Sequence, residues 1–287
     1  ITDIPTNISV VVESPEQFSK IAINNKDISF NKNSYFLDKD FLTSDIGFAV
    51  KKGNNELLLV LDFKSPQPLS ANNKVKYGTE IESVYIIGDF GIKGNNYEKS
   101  YDSQRNNAGM YPVLPVHRFT DFEIVKENNK TIGDLSTSGF PFYAGSATLK
   151  TEFEIPYKID NKQYFLEFPL SDAMIIEVKL NGTDLEPQYW SPYVCDITDA
   201  LNEGENIVEI KITNSLRNIL GPHHHYEKEV IKVGPSSFSG IGGFPNTKGL
   251  RNWYDVRLKD RKAAYWTDDY YFIPFGFVES PLITIEK

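Results

Sequence analysis

Short apolar runs that alternate with polar residues recur along this chain. Examples are NISVVVE (7–13), ELLLVLDF (56–63), IIEVKLNG (175–182) and NIVEIKITN (206–214), all rich in β-branched residues. A period of two over such lengths is typical of half-buried antiparallel strands. Amphipathic helical patterns are missing, so the pattern predicts an all-β protein built from β-sandwiches.

The chain also repeats itself. ISVVVESPEQFSKIAINNKDI (8–28) and YFLEFPLSDAMIIEVKLNGTDL (164–185) both contain a strand, a polar break, a second strand and a turn. In both copies a glycine and an asparagine then precede a long apolar strand. A third match joins VYIIGDFGI (84–92) to YYFIPFGFV (270–278). The repeat predicts two tandem sandwiches.

The predicted domains are residues 1–130 and residues 131–287. The boundary lies in the polar, Gly- and Ser-rich stretch KENNKTIGDLSTSG (126–139), which is typical of a link between domains. The first sandwich lacks a counterpart to TLKTEFEI (148–155), so it could be incomplete at its N-terminus.

Charge and cysteine usage exclude some classes of function. The formal net charge of −9 argues against a nucleic-acid partner, and no apolar run is long enough to span a membrane. The single cysteine, Cys195, rules out an internal disulfide, and its alternating surroundings favour a buried hydrophobe over a nucleophile. The sequence starts at Ile1 without a signal-peptide pattern, so we expect it to begin inside a longer product. The compartment stays open between secreted or cell-envelope and cytoplasmic.

The middle of the chain resembles a known module. The segments VKLNGTDL (178–185), SPYVCDITDAL (191–201) and GENIVEIKITN (204–214) are similar to galactose-binding-like jelly-roll domains. These are the sugar-binding domains of large bacterial glycoside hydrolases of the β-galactosidase/β-glucuronidase-like and rhamnosidase-like groups. The likeness is strong over 140–222 and weaker over 8–92, and it implies two tandem galactose-binding-like sandwiches.

The resemblance implies an ancillary role. In such enzymes the catalytic carboxylates lie in a separate barrel, and no alternating strand–helix pattern for a barrel occurs here. We therefore expect a non-catalytic, C-terminal region without a cofactor, which supports the catalytic domain of its parent chain and could contact an oligo- or polysaccharide. Two alternatives stay open: a self-contained glycan-active hydrolase with a site between the sandwiches, and a protein-binding adhesion module.

Three adjacent histidines follow the last core strand of the second copy. In an extended register His223, His225 and Glu227 project to one side and could bind Zn²⁺. The other interpretation, which we favour, is that these side chains make structural hydrogen bonds in a loop.

Aromatic and planar polar side chains form the candidate sugar-binding set. Pyranose rings stack their C–H faces on aromatic rings, and their hydroxyls pair with Asn, Asp or Arg. The candidates are Tyr189, Trp190, Arg251, Asn252, Trp253, Asp255 and Trp266. The opposing interpretation is that these rings fill the sandwich or a domain interface.

Overall fold

Antiparallel strands account for nearly all of the regular structure. The computed structural model describes residues 1–63, 79, 83–101, 115–127, 133–169, 171, 173–221, 223–224 and 267–286. The described helices are a 3₁₀ turn at Pro15–Gln17 and a single-turn helix, α1, at Arg217–Leu220. No helix in these ranges is long and apolar enough to cross a bilayer. The all-β class predicted from the sequence is confirmed.

The chain divides into two compact units. The first contains Ile1–Ile92 and Glu123–Asn128, and the second contains Lys93–Phe122 and Asn129–Lys287. Two short strands, β8 (Gly91–Gly94) and β11 (Phe122–Val125), pair with each other.

The first unit is a sandwich of two antiparallel sheets. Its strands are β1 (Ile8–Glu13), β2 (Lys20–Ile23), β3 (Lys26–Asp27), β4 (Tyr35–Phe36), β5 (Asp38–Asp45), β6 (Leu57–Val60) and β7 (Tyr85–Gly88). One sheet has the order β4-β5-β1-β7, and the other has the order β3-β2-β6. Alternate residues of β1 and β2, such as Ile8, Val10, Ile21 and Ile23, enter one buried cluster, as period-two patterning requires.

The second unit contains a larger sandwich and a separate sheet. Its strands are β9 (Glu98–Tyr101), β10 (Pro115–Phe119), β12 (Ser146–Ile155), β13 (Gln163–Phe168), β14 (Ile175–Leu180), β15 (Thr183–Asp184), β16 (Tyr193–Asp196), β17 (Gly204–Thr213), β18 (Tyr270–Phe272) and β19 (Leu282–Glu286). The sandwich sheets have the orders β12-β17-β14-β15 and β16-β13-β19, and their inward side chains share one core. The third sheet has the order β18-β10-β9.

The two sandwiches repeat the same strand pairing. In the first, β1 pairs with β5 and β7, and β2 pairs with β3 and β6. In the second, β13 pairs with β16 and β19, and β14 pairs with β15 and β17. The order of these strands along the chain is also the same, so the first two blocks of the sequence repeat correspond to a structural repeat.

A pair of asparagines fixes the same turn in both copies. Asn181 has φ 51° at the β14–β15 turn, and its Nδ2 donates to Ala200 O at 2.8 Å and to Asn206 Oδ1 at 2.7 Å. The next residue, Gly182, has φ 85°, so both central positions adopt the left-handed region that the predicted tight turn requires.

The first copy makes equivalent bonds. Asn24 has φ 48°, and its Nδ2 donates to Ala49 O at 2.9 Å and to Asn55 Oδ1 at 2.8 Å. Because the bonds agree atom for atom, the repeat extends from strand order to individual side chains.

The third sequence match, between 84–92 and 270–278, is wrong as a structural correspondence. β7 (Tyr85–Gly88) pairs with β1, whereas β18 (Tyr270–Phe272) pairs with β10 in the separate sheet. The strand that takes the place of β7 in the second copy is β19 (Leu282–Glu286). An aromatic, β-branched run fits many half-buried strands, so such a run does not specify its pairing partner.

Candidate functional site

Tyr189 and Trp190 lie on a loop that is anchored at both ends. Gln188 exchanges two backbone hydrogen bonds with Ile176 of β14, at 2.8 and 2.9 Å. After a cis Ser191–Pro192 bond the chain enters β16, where the buried Tyr193 hydroxyl donates to Ala173 O at 2.6 Å. These contacts fix the two ends of the short loop that carries Tyr189 and Trp190, which limits the positions that its backbone can take.

The loop presents its two aromatic rings to solvent. Trp190 is 76% exposed and Tyr189 is 55% exposed, while Tyr193 is only 9% exposed. The ring centroids of Tyr189 and Trp190 are 6.1 Å apart at an interplanar angle of 42°. Tryptophan is usually well buried, so an adjacent exposed pair is an uncommon surface feature. These two rings therefore do not fill the core.

At the two corresponding positions the first unit has no aromatic residue. Leu185 N donates to Val178 O at 2.9 Å, and Ile28 N donates to Ile21 O at the same distance. Tyr189 and Trp190 are the fourth and fifth residues after Leu185. The fourth and fifth residues after Ile28 are Lys32 and Asn33. The shared turn bonds thus form without aromatic rings at these two positions. The first unit has its own adjacent aromatic residues slightly further along, in β4, where Tyr35 is 51% exposed.

The remaining predicted sugar-contacting residues lie outside the described part of the chain. They are Arg251, Asn252, Trp253, Asp255 and Trp266. Their assignment rests on the sequence pattern alone.

The first two histidines of the cluster lie beside β18. His223 Nε2 donates to Asn218 O at 2.9 Å, and His224 Nδ1 lies 3.2 Å from Thr267 O and 3.1 Å from Asp269 O. The His223 ring also contacts Phe272, with 5.1 Å between the ring centroids. Both side chains thus make hydrogen bonds to the backbone.

Burial determines the charge of His223. It lowers the pKa of His223 to about 4, and the nearby positive charges of Arg217 and His224 act in the same direction, against the hydrogen bond to Asn218. His223 is therefore neutral at pH 7.

The predicted metal set is only partly described. His225 and Glu227 fall outside the described ranges. Among the residues that the structure does describe, no three His, Cys, Asp or Glu side chains come close enough together to hold a metal ion. The zinc site thus stays a sequence-based prediction.

The sequence reasoning missed a buried polar network in the second unit. His117 of β10 is 2% exposed, and its Nε2 lies 2.5 Å from Asp134 Oδ2. Its Nδ1 lies 3.1 Å from the Tyr97 hydroxyl. Burial raises the pKa of the Tyr97 phenol above its ordinary value, and the Asp134 charge adds to this rise. The three residues come from separate segments without a shared motif, so spacing could not reveal them.

The opposite face of the same small sheet carries an ion-pair cluster. Arg118 Nε and Nη2 donate to the two carboxylate oxygens of Asp269, at 2.7 and 3.0 Å, and Arg118 Nη1 donates to Glu98 at 3.0 Å. Such two-pronged pairing holds the planar guanidinium in one orientation. It fixes β10 against the residue that precedes β18.

Comparison with known proteins relates part of this chain to a glycoside hydrolase. No protein-family model matches the sequence. A curated protein from Formosa agariphila, described as a putative β-glucuronidase, is 32% identical over 130 residues, which are 45% of this chain and 11% of that protein. The chain thus spans about a ninth of that relative's length.

Solved structures of glycoside hydrolases give partial overlaps. A rhamnosidase from a Novosphingobium species aligns with 97% of this chain and 23% of its own, at 14% identity and a TM-score of 0.33. A Bifidobacterium dentium β-glucuronidase, solved with coumarin-3-O-glucuronide, aligns with 43% of this chain and 19% of its own, at 21% identity and a TM-score of 0.25. Both TM-scores are too low to establish a shared fold.

Proposed function

We propose that this chain is an ancillary, non-catalytic region of a larger glycoside hydrolase and that it contacts glycan through Tyr189 and Trp190. In this proposal two tandem galactose-binding-like sandwiches, residues 1–130 and 131–287, support the catalytic domain of the parent chain. The partial identity to a much longer putative β-glucuronidase supports the hydrolase context.

The exposed aromatic pair is the observation that supports the proposed contact with glycan. The rings are 55% and 76% exposed on an anchored loop, at positions where the first copy has Lys32 and Asn33. An exposed ring presents a flat apolar face, and the C–H face of a pyranose fits that surface. A loop with fixed ends also limits the entropy lost when a ligand binds. We include Arg251, Asn252, Trp253, Asp255 and Trp266 as further candidates for glycan binding on the basis of the sequence.

A glycan array tests the contact surface. We expect the 287-residue chain to bind at least one glycan class and the Trp190→Ala variant to lose that signal. Tyr157→Ala is the matched control, since Tyr157 is 70% exposed elsewhere in the second unit. The proposal fails if no glycan binds or if Trp190→Ala binds as strongly as Tyr157→Ala.

Turnover assays test the non-catalytic part. The chain alone should leave a panel of nitrophenyl glycosides unhydrolysed. Turnover that His225→Ala or Asp268→Asn abolishes would instead support the self-contained hydrolase.

A further inference from the structure

A small cleft lies above the buried His117 network in the second unit. Its volume is about 280 Å³. The polar side chains that line it are those of Tyr97, Lys99, His117, Asp134, Thr137 and Ser280. Tyr97, Lys99, Thr137 and Ser280 are exposed at the rim, whereas His117 is buried below them. None of these residues belongs to the Tyr189–Trp190 loop.

Asp134 determines which nitrogen of His117 carries the proton. Its Oδ1 accepts hydrogen bonds from Ser136 N, Ser136 Oγ and Phe275 N, at 3.0, 2.5 and 3.2 Å. Its Oδ2 is thereby positioned to accept from His117 Nε2, at 2.5 Å. An ionised carboxylate can only accept, so the bond partners assign the proton to Nε2.

The Tyr97 hydroxyl makes the other hydrogen bond of the His117 ring. His117 Nδ1 lies 3.1 Å from the Tyr97 hydroxyl oxygen. A phenolic oxygen has two lone pairs, so it keeps at least one of them free whether it donates to this nitrogen or accepts from it. The phenolic oxygen keeps acceptor capacity on the side of the cleft. The hydrogen bonds between Asp134 and His117 and between His117 and Tyr97 thus fix the position of the exposed Tyr97 hydroxyl, whose oxygen can accept a further hydrogen bond.

The floor of the cleft is held by close backbone packing. Leu135 N donates to Phe275 O at 2.6 Å, and Phe277 N donates to Gly133 O at 3.1 Å. Gly276 has φ 109°, and a Cβ there would lie 2.3 Å from Gly133 O. Only glycine permits this approach, which places the 275–277 segment against Asp134.

The rim supplies further hydrogen-bonding groups. Thr137 Oγ1 donates to Asp134 O at 3.0 Å and so keeps acceptor capacity. Lys99 lies directly opposite His117 in the β9–β10 pair, so both side chains are on the same face of the sheet. Within the described residues, Lys99 Nζ has no carboxylate partner, and it lies 5.6 Å from the centre of the Tyr101 ring.

We infer that this cleft is a second binding site, which takes one hydroxylated ring such as a single sugar residue. Tyr97 accepts a hydrogen bond from a ligand hydroxyl, and Lys99 and Ser280 donate to ligand oxygens. The volume lies just below the roughly 300–1,000 Å³ of pockets for drug-sized ligands, so it fits one ring and not a chain of rings. The choice of a sugar rests on the proposed function, but the site itself does not involve Trp190.

Histidine NMR tests this site. The chain has four histidines, so a sample with ¹⁵N-labelled histidine gives few signals, and His117 reports directly on the cleft. Free glucose, galactose, mannose and xylose are titrated into it. We expect at least one of them to shift the His117 signals with saturation.

Two tyrosine variants separate binding from structure. Tyr97→Phe keeps the ring that packs against His117 and Phe119 but removes the acceptor oxygen, so affinity should fall about tenfold. Tyr101→Phe, at the end of β9 and outside the cleft, should bind like the wild type. Equal thermal midpoints for the two variants would show that the loss is not due to unfolding.

The outcomes distinguish the cleft from the aromatic pair. The Trp190→Ala variant should keep the His117 shifts even where it loses glycan-array signal. The cleft assignment is overturned if none of the sugars shifts His117, or if Tyr97→Phe binds like Tyr101→Phe. If Trp190→Ala binds the array as strongly as Tyr157→Ala while the His117 shifts persist, only the role of the aromatic pair is overturned.

Discussion

At the scale of single residues, burial sets the protonation state of two side chains of the second unit. Cys195 points into the core of the second sandwich and is 2% exposed. His223 is enclosed by aromatic rings and bonded to a backbone carbonyl. The sequence suggested reactive roles for both side chains as alternatives, and burial keeps the Cys195 thiol protonated and the His223 ring neutral at pH 7.

Cys195 should resist thiol reagents in the native protein. Burial raises the pKa of its thiol to about 11, so little thiolate exists at pH 8. We expect a disulfide reagent such as DTNB to label the native chain very slowly and to label one thiol per chain in denaturant. Rapid labelling of the folded protein at pH 8 would contradict this account.

His223 should make folding stability depend on pH. Its pKa of about 4 in the folded state lies below the ordinary histidine value of 6.5, so the unfolded chain binds the proton more tightly. The free energy of unfolding should therefore fall as the pH drops from about 6.5 towards 4, by about 3 kcal/mol at most. His223→Gln should remove this part of the slope in urea titrations, whereas equal slopes in the two proteins would refute the assignment.

At the scale of elements, the repeat was the most informative feature of the sequence. The patterns at 8–28 and 164–185 predicted equivalent strands, and the pairing of β1, β2, β13 and β14 agrees. The aromatic strand at 270–278 was assigned wrongly because composition does not choose a partner strand. The Tyr97–His117–Asp134 network could not be predicted, because it depends on tertiary contacts among three segments.

The duplicated asparagines should contribute strongly to stability. Asn206 is fully buried and makes four side-chain hydrogen bonds, with Asn181, Gly204 and, twice, with the backbone of Asn202. Asn206→Ala leaves buried partners unsatisfied, so we expect a loss of about 3 kcal/mol in urea unfolding.

The equivalent residue of the first copy gives the comparison. Asn55 makes the same four bonds but is less buried, so Asn55→Ala should cost less than Asn206→Ala. Asn33→Ala, at an exposed position, should change the free energy of unfolding by less than about 0.5 kcal/mol. Equal effects of Asn206→Ala and Asn33→Ala would show that the network does not stabilise the fold.

At the scale of the whole molecule, two related sandwiches carry different surfaces. The copies share strand order and turn bonds, while the positions of Tyr189 and Trp190 in the second copy are occupied by Lys32 and Asn33 in the first. The shared strand pairing accounts for the common fold of the two copies. Residues that differ between them at equivalent positions, such as Tyr189 and Trp190, are the better candidates for a specific function. Sequence reasoning identified Tyr189 and Trp190 as candidates from residue type, but their exposure required the structure.

The measurement that tests the central claim most directly is a calorimetric titration of the chain with the glycan that gives the strongest array signal. We predict saturable binding that Trp190→Ala weakens at least about tenfold and that Tyr157→Ala leaves unchanged. Equal affinity of the Trp190→Ala and Tyr157→Ala variants, or no heat of binding for the wild-type chain, would contradict the claim that this chain contacts glycan through its exposed aromatic pair.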